Sequence, residues 1–156
     1  MELLIDKIYI RPMKMEDASG MALVEKSCFT DPWSEDAFKK AFSDSNYLYF
    51  VAEYDTKIIG MAGVIISFHE GYITNVGVLP EYRGNGIAYL ILSQLMQKSR
   101  ERMVDLFSLE VRVSNAKAIA LYERLNFDNV GKRPGVYKHP DEDAFVLICD
   151  KKGDLI

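Results

Sequence analysis

The chain has little of what marks several large protein classes. It carries two cysteines in 156 residues, Cys28 and Cys149, in no C-x-x-C arrangement. That argues against a disulfide framework and a thiolate zinc site and fits a reducing compartment; Cys28 reads as a small buried hydrophobe. Two histidines are too few for a His-based centre, so no metal is expected. No apolar run approaches the roughly 20 residues of a membrane span, and no membrane partner is expected. The opening residues Met1 to Asp6 lack the basic region and long apolar stretch of a secretory signal, so the expected location is cytoplasmic. Repeats, low-complexity tracts and linkers are missing too, and the length suits one domain over residues 1–156.

What is present is the composition of a globular protein, 49% hydrophobic and 27% charged. A chain of this size buries about 70% of its unfolded surface and needs no covalent staple. The net charge of −4 argues against a main task of gripping phosphate backbones, so no direct nucleic-acid partner is expected. It is compatible with a cationic substrate.

Hydrophobic periodicity gives the order of elements. Lys7 to Arg11 alternates as a short strand, and Glu16 to Phe29 has helical spacing. Asp31-Pro32-Trp33-Ser34 breaks that helix, and Ser34 is placed to cap a second one, with Glu35 and Asp36 in its first turn. Tyr47–Tyr54, Lys57–Phe68 and Tyr72–Leu79 read as an antiparallel meander, with turns at Asp55-Thr56-Lys57 and His69-Glu70-Gly71. Pro80 to Asn85 is a loop, and Gly86 to Met103 is a helix with an apolar stripe of Ala88, Ile91, Leu92, Leu95 and Met96. Leu106 to Val113 alternates, with Phe107, Leu109, Val111 and Val113 on one face and Ser108, Glu110 and Arg112 on the other. Ser114 or Asn115 caps a further helix to about Leu125, and Asn126 stands where a helix stop needs left-handed geometry. Strands near Asp128–Arg133 and Ala144–Asp150 complete a mixed α/β (α+β) sheet with packed helices.

The strand–loop–helix succession from Ile73 to Met96 carries a candidate anion site. A helix N-terminus offers unpaired N–H groups and partial positive charge to a pyrophosphate. Gly84 and Gly86 permit close backbone approach, and Arg83 can add a charge-assisted bond. The loop lacks the Lys-Ser/Thr of a P-loop and the third glycine of a dinucleotide fingerprint. Taken alone it is equally an ordinary strand-to-helix connection.

Two blocks together are more particular. Val76-Gly77-Val78-Leu79-Pro80-Glu81-Tyr82 followed by Arg83-Gly84-Asn85-Gly86-Ile87-Ala88 resembles the Gln/Arg-x-x-Gly-x-Gly/Ala acetyl-CoA motif of the GNAT superfamily. Leu109 to Ala116 and Ala120 to Glu123, with the early Pro32-Trp33-Ser34, resemble RimI-type N-terminal acetyltransferases, which modify the terminal alanine of a small-subunit ribosomal protein. The resemblance covers nearly the whole chain. It implies a central, mostly antiparallel sheet, splayed at the cofactor site and flanked by about four helices, and it implies acetyl-CoA as cosubstrate. Residue by residue, Arg83, Gly84, Asn85, Gly86, Ile87, Ala88 and Tyr89 would hold the CoA pyrophosphate. Backbone groups of Val76, Gly77 and Val78 would run beside the pantetheine arm, and Asn115 would contact CoA. Glu110 would be the general base and Tyr122 the general acid. Trp33 and Tyr137 are candidates for lining the acceptor groove; Trp33 could equally fill the core or fix its loop.

The chemistry has a use for such residues. An ammonium cannot attack a thioester, and an N-terminal amine with a pKa of about 8 needs modest help to lose its proton. A carboxylate facing the cleft supplies that help, although Glu110 could equally be a solvated strand residue. A phenol near the leaving sulfur can donate to it; Tyr122 could instead be a core aromatic. The segment Gly131 to Pro140 departs from the family by carrying Val136-Tyr137 where a Tyr-Tyr pair is common, which leaves peptide specificity open: the expected acceptor is a protein N-terminus, that of a ribosomal protein for one, and the alternative is a small amine or another protein. A non-catalytic acetyl-CoA sensor is the remaining alternative. The oligomeric state has no signature in the sequence.

Overall fold

A computed structural model describes Leu3 and residues 5–150. Eleven main elements follow in the order strand β1 (Ile8–Pro12), helices α1 (Ala18–Cys28) and α2 (Glu35–Phe42), strands β2 (Tyr47–Tyr54), β3 (Lys57–Ser67) and β4 (Glu70–Val78), helix α3 (Ile87–Glu101), strand β5 (Leu106–Arg112), helix α4 (Ala116–Arg124), and strands β6 (Asp128–Tyr137) and β7 (Glu142–Cys149). The seven strands form one sheet in the order β1-β2-β3-β4-β5-β7-β6. All neighbours are antiparallel except β4 and β5. This is the GNAT-like mixed sheet expected from the sequence.

Local chemistry sets the boundaries. The Ser34 hydroxyl accepts from Ala37 N–H at 3.2 Å and starts α2. Asn115 does the same for α4 through Ala118 N–H at 3.2 Å, so Asn115 and not Ser114 is the cap. Asn126 adopts the left-handed conformation, φ 70°, just past α4. Asp55 and Thr56 both have positive φ, 52° and 64°, the geometry that lets a two-residue turn follow the twist of its strands.

Two boundaries differ from the sequence reading. The β3–β4 turn is Phe68-His69, because Ser67 pairs with Glu70; Glu70 and Gly71 therefore lie inside β4. Strand β6 runs on to Tyr137, past Pro134-Gly135, which look like breakers. It tolerates them because it is an edge strand, and its pairing with β7 shifts register between Arg133 and Tyr137.

The helices divide between the two faces. Gly60 looks onto Ile91 of α3, while Gly77, in the next cross-strand pair, looks onto Val24 and Cys28 of α1. On the α3 side Ile91, Leu92 and Leu95 are fully buried, and Arg100 of α3 lies 5.1 Å from the ring of Phe107 on β5. On the α1 side Met21, Val24 and Phe38 are fully buried. Alternation along β5 therefore puts Ser108, Glu110 and Arg112 on the α1 side. Arg11 pins the start of α1 to the sheet edge, with bonds of 2.8 Å to Asp17 and 2.7 Å to Glu53.

At Gly63 the ring of Tyr49 lies flat on the neighbouring strand; a Cβ there would stand 2.1 Å from Tyr49 Cε1. Gly63→Ala must displace a buried aromatic that packs on Trp33 and Phe38. It is expected to cost about 1–3 kcal/mol, read as a lower midpoint in urea unfolding; an unchanged midpoint would show that Tyr49 is free to move.

Candidate active site

Strands β4 and β5 pair only at Glu70–Leu106, Gly71–Phe107 and Tyr72–Ser108. Beyond that point β4 stays with β3 as far as Val78–Gly60, and β5 stays with β7. Between Ile73 and Val76 strand β4 carries an extra residue relative to β3, a bulge that bends it away. A cleft opens between Val76-Gly77-Val78 on one side and Glu110 and Arg112 on the other. Along this stretch the inner edge of β4 lacks a strand neighbour.

The end of β4 leads through a short turn at Pro80–Tyr82 into Arg83–Gly86 and α3. Gly84 and Gly86 have φ of 81° and 75°, and a Cβ at either would meet nothing within 4 Å. The loop thus needs glycine for its backbone and leaves open space over the N-terminus of α3. No side chain caps that end, so the N–H groups of its first turn, at Ile87, Ala88 and Tyr89, remain available to an anion. A pyrophosphate fits this cradle. Asn85 donates to Tyr82 O at 2.9 Å and Arg83 O at 3.3 Å and holds the loop in shape. The Arg83 guanidinium is turned back along β4: Nε donates to Val78 O at 2.9 Å, and Nη2 lies 3.3 Å from Cys28 Sγ. The Arg83 guanidinium is thus engaged with β4 and α1, while the backbone N–H groups at the start of α3 stay open. Tyr89 is covered by the Arg124 guanidinium, 4.5 Å from its ring, which joins α3 to α4.

Glu110 faces the cleft from β5. Its carboxylate is ion-paired with Arg133, which reaches across β7 from β6, and accepts from the Tyr72 hydroxyl at 3.4 Å. Tyr137 completes the group. Burial and then the Glu110 charge push its phenol up from 10.0 to about 12, and the same two causes raise Tyr72. The guanidinium of Arg112 stacks 4.5 Å from the Tyr137 ring while donating to Pro140 O at 2.9 Å and Glu142 at 3.1 Å. One side chain thereby fastens the β6–β7 hairpin beside the cleft.

Tyr122 comes from α4. It is buried, edge-on to Phe127 with ring centroids 5.7 Å apart, and its phenol is raised well above the ordinary range by burial and then by Tyr137. Tyr137 therefore stands between the two: beyond burial, its phenol is raised by Glu110, and it in turn raises Tyr122. Two other candidates have structural partners of their own. The Asn115 side chain caps α4. Trp33 packs on Phe38, Tyr47 and Tyr49 at 5.4–6.4 Å, in an aromatic cluster on the α1 side. Tyr72, Arg112 and Arg133 join the site without having been expected from the sequence. Alternation puts Arg112 on the face of Glu110, but nothing in the spacing brings Tyr72 and Arg133 there.

Residues 19–127 match the family model described as the Acetyltransferase (GNAT) family. The chain belongs to the GNAT acetyltransferases. This makes it an acetyl-CoA-dependent N-acetyltransferase. It is 31% identical over 140 residues to the ribosomal protein bS18-alanine N-acetyltransferase of Escherichia coli (strain K12), covering 88% of this chain and 94% of that one. The crystal structure of the E. coli ribosomal-protein-S18-alanine N-acetyltransferase superposes with a TM-score of 0.83 at 29% identity, covering 96% and 98% of the two chains. Arabidopsis thaliana NAA60 in complex with acetyl-CoA shares the fold, with a TM-score of 0.84 at 19% identity over 94% and 99%. Among the described residues no helix is long and apolar enough to cross a membrane.

The Tyr137 phenol has a stability consequence. Because its folded pKa lies above its unfolded value, its contribution is whole below pH 10 and is lost as pH rises toward 12. Tyr137→Phe is expected to make the alkaline fall in stability shallower between pH 10 and 12. Denaturant midpoints across that range check this; curves that stay parallel would refute it.

Proposed function

We propose that this single domain transfers acetyl from acetyl-CoA to the N-terminal amine of a cytoplasmic protein, the N-terminal alanine of a small-subunit ribosomal protein being the preferred acceptor. Near-full-length identity to the E. coli bS18-alanine acetyltransferase carries this reading. The cleft geometry supports direct transfer. In the proposed arrangement the pyrophosphate lies on the Gly84–Tyr89 backbone, and the pantetheine arm adds to the free edge of Val76–Val78 as an extra strand would. A backbone N–H there polarises the thioester carbonyl. The acceptor ammonium enters beside Glu110, whose carboxylate takes its proton directly or through water. The neutral nitrogen attacks the carbonyl carbon, loses its second proton to solvent, and the C–S bond of the tetrahedral intermediate breaks to give the amide and the CoA thiolate.

Tyr122 then donates to the departing sulfur. A thiol has an ordinary pKa near 8.5, below that of this buried phenol, so the phenol stabilises the thiolate chiefly as a hydrogen-bond donor. No covalent enzyme intermediate is formed, and neither cysteine is needed. Trp33 and Tyr137 line the acceptor side from opposite walls.

Acetylation of a panel of N-terminal peptides and small amines tests the acceptor: an Ala-initiated basic peptide should be preferred, whereas turnover confined to polyamines or amino sugars would reject the reading. For the base, Glu110→Gln should lower kcat/KM for the peptide by about 100-fold at pH 7 with acetyl-CoA binding little changed. The deficit should narrow by pH 9, where an amine of pKa about 8 is already mostly neutral. A deficit independent of pH would remove Glu110 from that role. In Tyr122→Phe the loss should fall on kcat, and an equal loss of acetyl-CoA binding would instead assign the residue to packing.

A further inference from the structure

Glu25 is a buried carboxylate that the proposed chemistry does not use. It lies on the inner face of α1 with 3% of its surface exposed. Both its oxygens accept from the Asn75 amide, at 3.2 and 3.1 Å, and Oε2 also accepts from the Trp33 backbone N–H at 3.3 Å. Asn75 sits in the β4 bulge, immediately before Val76-Gly77-Val78. Its carbonyl oxygen accepts from Tyr49 OH at 2.9 Å, and that hydroxyl lies 3.5 Å from Thr74 Oγ1. Burial pushes the Glu25 carboxyl up, while the bonds from Asn75 and Trp33 pull it back. A charged group this deeply buried is retained at a cost unless its partners are well placed.

The partners lie on the two structures that must be in register for transfer. Trp33 belongs to the α1–α2 connection, one wall of the acceptor side; Asn75 is part of the strand proposed to carry the thioester. No other hydrogen bond joins residues 29–33 to β4 among the described residues. We infer that Glu25 is a positioning residue: it ties the Trp33 loop to the β4 bulge and so sets the acceptor wall relative to the acetyl donor. This inference rests on the acetyl-transfer reading of the cleft but not on the identity of the acceptor.

Substitution separates this role from packing. Glu25→Ala cuts the tether at both ends. Glu25→Gln can keep it, since the Asn75 amide can turn over to accept from the new NH2 group while the Tyr49 hydroxyl accepts in its turn. Trp33 is the single tryptophan, so its fluorescence reports the loop directly. In Glu25→Ala its emission should move to longer wavelength and become more open to acrylamide quenching. The acceptor KM should rise about tenfold, as expected for loss of one buried hydrogen-bonded group, with kcat and the acetyl-CoA KM within about threefold. Glu25→Gln should restore emission and KM most of the way.

The acceptor used is whichever amine the wild-type enzyme acetylates. Failure of the peptide reading shows in the wild type and leaves this comparison intact. Unchanged Trp33 emission in Glu25→Ala would overturn the inference outright. So would a shifted emission with unchanged acceptor KM, equal rises in both KM values, or a Gln variant as impaired as the Ala variant. If Glu25→Ala does not fold, Asn75→Ala cuts the tether from the strand side and should show the same split between the two KM values.

Discussion

The parting of β4 from β5 is the constraint on which the rest of the structure depends. Two parallel strands that stayed paired would satisfy each other's backbone and leave nothing for a ligand. Here pairing lasts three residues, the β4 bulge bends the strand, and β5 is held by β7 instead. The cost is a length of unpaired strand edge inside the molecule. The gain is a slot with a glycine loop and a helix N-terminus at one end and a carboxylate with two phenols at the other. Each proposed participant takes its place from this divergence: the backbone of Val76–Val78 from the strand that leaves, Glu110 from the strand that stays.

Much of this is legible in the residues. The alternation of Leu106 to Val113 by itself separates Glu110 from the core face. Ser34, Asn115 and Asn126 mark helix ends by chemistry that the folded chain repeats. Composition and periodicity suffice for the order of elements. What stays hidden is non-local. Arg133 meets Glu110 because β7 inserts between β5 and β6, and no spacing along the chain encodes that insertion. Tyr72 reaches the same carboxylate through a three-residue parallel contact. The Arg83 side chain turns toward Val78 and Cys28, a choice set by neighbours more than 50 residues away in sequence for Cys28.

Electrostatics in the cleft follow a simple division. The end proposed for the anion offers backbone dipoles and open space, which suits a highly charged ligand. The end proposed for the acceptor offers side chains whose protonation is biased by burial: Tyr72, Tyr122 and Tyr137 are all raised. In the proposed reaction a proton arriving on Glu110 meets the neutral phenols of Tyr72 and Tyr137 and no second competing anion among them. Arg133 balances the carboxylate, and with 65% of its side chain exposed the pair adds little stability, so in the proposed reaction an incoming ammonium displaces it at little cost.

The two outer strands each contain a proline, Pro12 in β1 and Pro134 in β6. A proline offers no N–H to a further strand, and β6 adds register shifts and the charges of Lys132 and Arg133. A proline in each border strand makes that border a poorer template for another chain's backbone, one of the devices that discourage the lateral association open sheets invite. The internal margin of β4 beyond Tyr72 carries no such device, and it is there that the proposed pantetheine arm would lengthen the sheet from within.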